Sequence, residues 1–152
     1  LNAAQEKAMS EIDLKDVANH YFGTLAQTLD SERNIWRIYN STIINKGDTL
    51  PASNTKKYAL SIDGGYSASV TQSAGQTENK EFVHVVKKEK VLVEGAKEGD
   101  EIHVTYSYDK SQMMHCTFEH VKSGKKFELE IKSLSSDTVE KAKEQMKNFE
   151  IE

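Results

Sequence analysis

The stretch Gly99–Ile131, GDEIHVTYSYDKSQMMHCTFEHVKSGKKFELEI, decides how this chain is read. It holds three runs of alternating side chains, interrupted at Asp109-Lys110-Ser111 and again at Lys122-Ser123-Gly124. Period-two patterning broken by short polar turns marks antiparallel strands with one buried face. Ile102, Val104, Tyr106 and Tyr108 share a face in the first run, Met114, Cys116 and Phe118 in the second, and Phe127, Leu129 and Ile131 in the third. Keeping Val104 and Tyr106 on the same side as Cys116 and Phe118 requires an odd number of connecting residues, most simply Asp109-Lys110-Ser111. His103, Thr105, Met113 and His115 then fall on the opposite face. A one-residue slip would turn every apolar side chain outward, so the register is strongly specified.

Upstream, 19–30 and 34–45 are two long strand candidates joined by Ser31-Glu32-Arg33. The only proline, Pro51, suits a strand entrance or a turn. Tyr58, Leu60 and Ile62 alternate, and Asp63-Gly64-Gly65 predicts a tight hairpin leading into Tyr66, Ala68 and Val70. Residues 73–80 form a polar loop, and 81–86 and 91–93 are two short strands around a solvated Lys87–Lys90 loop. Past Leu134 the pattern turns helical. Ser135 is placed as an N-cap, Leu134 and Val139 form a hydrophobic staple, and Val139, Ala142, Met146 and Phe149 make a stripe. The expected fold class is mainly β, an antiparallel β-sandwich of about eight strands followed by a C-terminal α-helix.

The bulk composition excludes several classes. A chain of 152 residues suits one domain, and 29% charged residues with a net charge of −4 and no basic stripe argue against nucleic acid as a partner. No run approaches the ~20 apolar residues that cross a bilayer, so no membrane is expected. The single cysteine precludes an internal disulfide and suits a reducing, cytoplasmic setting. A first residue of leucine and the helical composition of 2–10 suggest a piece of a longer protein.

These residues resemble the substrate-binding β-domain of the DnaK-like, seventy-kilodalton heat-shock chaperones. That family has an "I-x-V-T-x-x-x-D" strand, a short apolar-His strand, then "S-G-K" and a last alternating strand. Ile102, Val104, Thr105, Asp109, His115, Ser123, Gly124 and Lys125 follow the same order. Asp16-Val17 with Gly23, the segment Lys46–Pro51, and Val70-Thr71-Gln72 before Gly75 resemble its earlier motifs. The resemblance runs from about Asp13 to Glu152. It implies an upstream ATPase end and linker at 1–15, a β-sandwich at 16–133 and the first part of a helical lid at 134–152.

The function it implies is that of a peptide-binding domain, not an enzyme, holding extended apolar segments of unfolded proteins. Control would come from an upstream ATPase domain absent from this chain, with co-chaperones as further partners. No cofactor is expected in the fragment; ATP and magnesium would belong to the full-length protein. Carried over residue by residue, the peptide-binding positions are Thr24, Ala26, Tyr58, Ser61, Tyr66, Ala68 and Met113. The family pocket is lined by branched aliphatics, whereas Thr24, Ala26 and Ala68 are small and Tyr66 is large. A sandwich that kept the fold but lost peptide binding, with Tyr66 filling the pocket, is the alternative.

Other chemistry has weaker footing. Alternation sends His115 and Cys116 to opposite faces, and the spacing of His103, His115, Cys116 and His120 is not that of a zinc site. Cys116 falls on the core face, where a thiol is inert. Asn40-Ser41-Thr42 matches a glycosylation pattern but lies in a strand, so it is read as chance. No paired carboxylates or nucleophile–base arrangement recurs, and Trp36, the only tryptophan, gives no aromatic platform.

Overall fold

Alternation becomes pairing in eight antiparallel strands. The computed structural model describes residues 17–132, and within them the strands are β1 (Tyr21–Asp30), β2 (Ile35–Ile44), β3 (Ala52–Ala59), β4 (Gly65–Ser73), β5 (His84–Leu92), β6 (Glu101–Tyr108), β7 (Met113–His120) and β8 (Lys125–Lys132). They form two four-stranded sheets, ordered β2-β1-β4-β5 and β3-β6-β7-β8. The segment 1–15 and the helix expected from Ser135 lie outside the described residues.

The meander β6-β7-β8 follows the sequence pattern. Val104 pairs with Phe118, Tyr106 with Cys116 and Tyr108 with Met114. Phe118 in turn pairs with Phe127, and Cys116 with Leu129. Ile102, Val104, Tyr106, Tyr108, Met114, Cys116 and Phe118 are all buried and face Phe22, Ile43, Ile44, Val70 and Val91 of the other sheet. Each such side chain contributes roughly 1.5–3 kcal/mol by leaving water. The first connection is longer than its simplest form, because the Tyr108↔Met114 pair encloses residues 109–113. Asp109 explains the extra length: its Oδ1 accepts from the N–H of Ser111 at 3.0 Å and of Met113 at 2.9 Å. That wraps the turn around one carboxylate while Gln112 takes a φ of 64°.

Two expectations are corrected. Asp63-Gly64-Gly65 does not close a hairpin: β3 pairs with β6, and β4 pairs with β1 and β5. The turn instead carries the chain from one sheet to the other. Gly64, with a φ of 88°, donates to Ala96 O at 2.9 Å and accepts from Val93 N–H at 2.8 Å. The local signal was for positive φ, and that is all the turn used. The second correction concerns 84–92, which is one continuous strand rather than two strands around a lysine loop. As an edge strand it leaves Lys87, Lys88 and Lys90 in solvent, so lysines do not interrupt it.

Pro51 sits directly before β3, after a cis Leu50–Pro51 bond. Ala18 is tied to the 45–48 turn through its N–H to Asp48 O and its carbonyl to Gly47 N–H. No helix among the described residues is long and apolar enough to cross a membrane.

Candidate functional site

The site begins where one sheet splits. β1 pairs with β4 only at Tyr21↔Ser73, Phe22↔Gln72 and Gly23↔Thr71. Beyond that point β1 continues against β2 as far as Asp30, and β4 continues against β5 back to Gly65. Both strands are irregular at the level of the split, β1 between Phe22 and Gly23 and β4 between Val70 and Thr71. Bulges bend the strand that carries them, and two at one level turn the hairpins apart. Gly23 is required there, because a Cβ on it would lie 2.2 Å from Ser41 O.

Side chains close the base of the split in place of a ladder. Tyr106 reaches across from the opposite sheet, its hydroxyl oxygen 2.7 Å from Gly23 O and 2.9 Å from Ser69 O, one carbonyl from each diverging strand. Complete burial pushes its ionisation well above the ordinary tyrosine value of 10.0. Leu25 N–H donates to Ser69 Oγ at 2.9 Å, and Thr24 Oγ1 lies 3.1 Å from the same oxygen. Past Leu25, the edge of β1 that faces β4 has no strand beside it among the described residues.

Beneath that edge is a cavity of about 350 Å³ between the sheets. Its walls are Thr24–Gln27 of β1, residues 58–67 of β3, β4 and their connection, Lys90 and Leu92 of β5, Ile102 and Val104 of β6, and Phe118 of β7. The lining is mainly apolar, with Asp63 and Lys90 as its charged members. Ile62 and Leu92 are 58% and 65% exposed, large apolar side chains that line the cavity yet face water. Tyr58 is half-buried and donates to Ser41 Oγ at 2.7 Å. It also lines a polar groove on the β2–β3 side, with Asn45, Asn54, Lys56 and Lys57. Burial pushes the Tyr58 and Tyr66 phenols up to about 12.

The loops at this end are cross-tied. Leu60 N–H donates to Asp100 O and Gly99 N–H to Leu60 O, at 2.9 and 2.8 Å. Trp36 Nε1–H donates to Glu98 Oε1 at 2.9 Å, and Glu98 N–H donates to Asp63 Oδ1 at 2.8 Å. The far end of the β1–β2 hairpin is thereby joined to the loops on the other side of the cavity. His120, 2% exposed, braces the 97–100 loop from below through Asp100 Oδ2 at 2.8 Å.

Of the seven carried-over positions, Thr24, Ala26, Tyr58, Ser61 and Tyr66 meet at this cavity. Ala68 does not line it. It lies two residues beyond Tyr66 on the same face, completely buried near the base of the split. Met113 does not line the cavity either. It opens β7 at the Asp109 turn, five residues from Phe118, a distance of about 17 Å along a strand. Tyr66 lies against the wall rather than filling the space: its ring centroid is 6.3 Å from that of Phe118 and its hydroxyl 3.5 Å from Phe118 O.

Sequence reasoning missed Gln27, Leu60, Ile62, Leu92, Ile102, Val104 and Phe118 as lining residues. The β6 and β7 residues were legible as core, and nothing local marks which part of a core face borders empty space. The remaining candidates are quiet. Among the described residues no cluster of three His, Cys, Asp or Glu side chains could hold a metal ion. Cys116 is buried and its thiol is pushed up to about 12, so it carries no thiolate chemistry at neutral pH. Asn40 is 2% exposed, and its amide is engaged by Thr77 O and Thr71 Oγ1. No protein-family model matches the chain, and no curated protein matches it.

Proposed function

We propose that this chain is a peptide-binding module that holds extended apolar segments of unfolded proteins, a divergent relative of the DnaK-like chaperone substrate-binding domain. The observation that carries the reading is the unpaired edge of β1 past Leu25 standing directly over an apolar cavity. An exposed strand edge offers main-chain hydrogen bonds to any extended chain, and a pocket beside it receives one side chain. The energetics require both. Micromolar affinity needs roughly 8 kcal/mol, and one buried aliphatic side chain supplies roughly 1.5–3 kcal/mol. The backbone edge and the exposed Ile62 and Leu92 are the sources of the remainder.

On this reading the module has no enzymatic activity of its own. Release of the peptide would be timed by an ATPase domain that binds ATP and magnesium and precedes residue 16. Partners would be unfolded chains, that domain and co-chaperones, in the cytoplasm. The alternative, a sandwich that lost its site to Tyr66, has less support because the cavity is present with Tyr66 in place.

The test is fluorescence anisotropy with short labelled peptides of apolar sequence titrated into this chain. Saturable binding is expected. Ile62→Glu and Leu92→Glu should each weaken it by about tenfold without lowering the melting temperature, since both side chains are exposed. A flat titration with every apolar peptide would remove the proposal.

A further inference from the structure

The split between β1 and β4 also has an outer side. We infer that the segment held there carries an acidic residue directly beside its central apolar side chain, and that Lys90 of β5 reads the charge of that neighbour. The inference rests on the peptide-binding reading above and narrows the substrate class of that same site.

Alternation supplies the geometry. Tyr66, Ala68 and Val91 belong to the core, so Ser67, Lys90 and Leu92 point to the outer face of their sheet. There Ser67 is paired with Lys90, and Gly65 with Leu92. A segment lying in the split beside β4 alternates in the same way. When its central side chain enters the cavity at the level of Tyr66, its two neighbours emerge on the outer face, at the levels of Ser67 and Gly65. Lys90 then stands two strand spacings away, about 10 Å between backbones. Only the small, exposed Ser67 lies between them. A glutamate and a lysine extended toward each other close that distance. The other neighbour meets the exposed Leu92 across Gly65, which has no side chain, so an apolar residue suits it.

Charge is the second argument. Lys88 and Lys90 are exposed and have no ion-pair partner among the described residues. Glu89 between them is turned to the opposite face and lies 3.8 Å from Lys87. Asp63, the acid of the cavity lining, accepts from Glu98 N–H at 2.8 Å and lies 4.0 Å from Lys97. Lys125 adds a further cation at the end of β5, its Nζ 2.7 Å from Leu92 O. Across the split, β1 turns Leu25, Gln27 and Leu29 to the outer face, and none is charged. One flank is therefore basic and the other neutral, in a chain whose net charge is −4. The charge of the whole molecule would favour a basic segment, and the local lysines reverse that choice. Specificity of this kind comes from repelling the wrong partner as well as attracting the right one.

The experiment uses one short labelled peptide with a leucine centre and Glu, Gln or Lys placed directly before it or directly after it. Each is titrated by anisotropy at low and at high salt into the wild-type chain, Lys90→Glu and Lys132→Glu. The last makes the same change of charge opposite Met113, at the other end of β7 from Phe118. Circular dichroism melts check that the variants are folded. In one of the two placements Glu should bind about threefold tighter than Gln, and Lys about threefold weaker, at low salt. The spread should shrink at high salt. Lys90→Glu should abolish the preference for Glu, and Lys132→Glu should leave it in place. Should Lys bind as tightly as Glu in both placements, or should Lys90→Glu keep the wild-type order, the inference is overturned and the groove reading stands. Should no peptide in the series bind, the groove reading itself falls.

Discussion

Tyr106 shows what a single residue does in this molecule. Its ring is core, and its hydroxyl faces two carbonyls that a continuous sheet would have paired with N–H groups. Tyr106→Phe keeps the ring and removes the hydroxyl proton offered to that pair. We expect a loss of about 1–3 kcal/mol in urea unfolding, and an unchanged result would show that the hydroxyl has no part in holding the split. The alternation of β6 made Tyr106 legible as an inward side chain. The task of its hydroxyl was not legible, because Gly23 lies 83 positions away and Ser69 lies 37 away. The same limit applies to the site. Thr24, Ala26, Tyr58, Ser61 and Tyr66 come together only through a fold-level resemblance, since no local pattern joins them. Met113 lies apart from the cavity, and a family alignment fixes order along a strand but not which end of that strand borders empty space.

At the level of elements, β1 is held along one flank by β2 and at its base by three pairs to β4. Gly23 sets the bend. Gly23→Ala drives a methyl into Ser41 O at a position where backbone, not a flexible side chain, must yield. The expected outcome is a loss of ~1–3 kcal/mol in denaturant unfolding, with faster amide exchange concentrated in 21–44. Exchange rising evenly across both sheets would argue that the bulge has no special part in holding the hairpins apart. Strand positions were readable in the meander because one buried face writes a period of two into β6, β7 and β8. Partner choice was not readable. An Asp-Gly-Gly turn specifies a backbone angle, and that angle serves equally well to reverse a strand or to change sheets.

For the whole molecule, buried phenols and a buried thiol bear on stability at alkaline pH. Burial raises Tyr58, Tyr66 and Cys116 to about 12 from 10.0, 10.0 and 9.0, and holds Tyr106 well above its ordinary 10.0. A group whose folded pKa lies above its unfolded value keeps its proton longer in the folded state. Its stabilisation is therefore complete below the unfolded value and lost as pH climbs through the folded one. Melting temperature should hold up to about pH 9 and fall steadily towards 12. Cys116→Val should delay the first part of that fall; a profile flat to pH 12 would contradict the burial of these phenols. The outer strands bear on a different property. β8 exposes Lys125, Lys126, Glu128, Glu130 and Lys132, β5 exposes Lys87, Lys88, Glu89 and Lys90, and β3 exposes Lys56 and Lys57. The N–H of Asn40 on β2 is already taken by Glu78 O. Charge on a peripheral strand discourages fibre-like stacking between copies. A concentrated solution of this protein should therefore stay monodisperse even though β1 keeps one unpaired stretch of edge past Leu25 among the described residues.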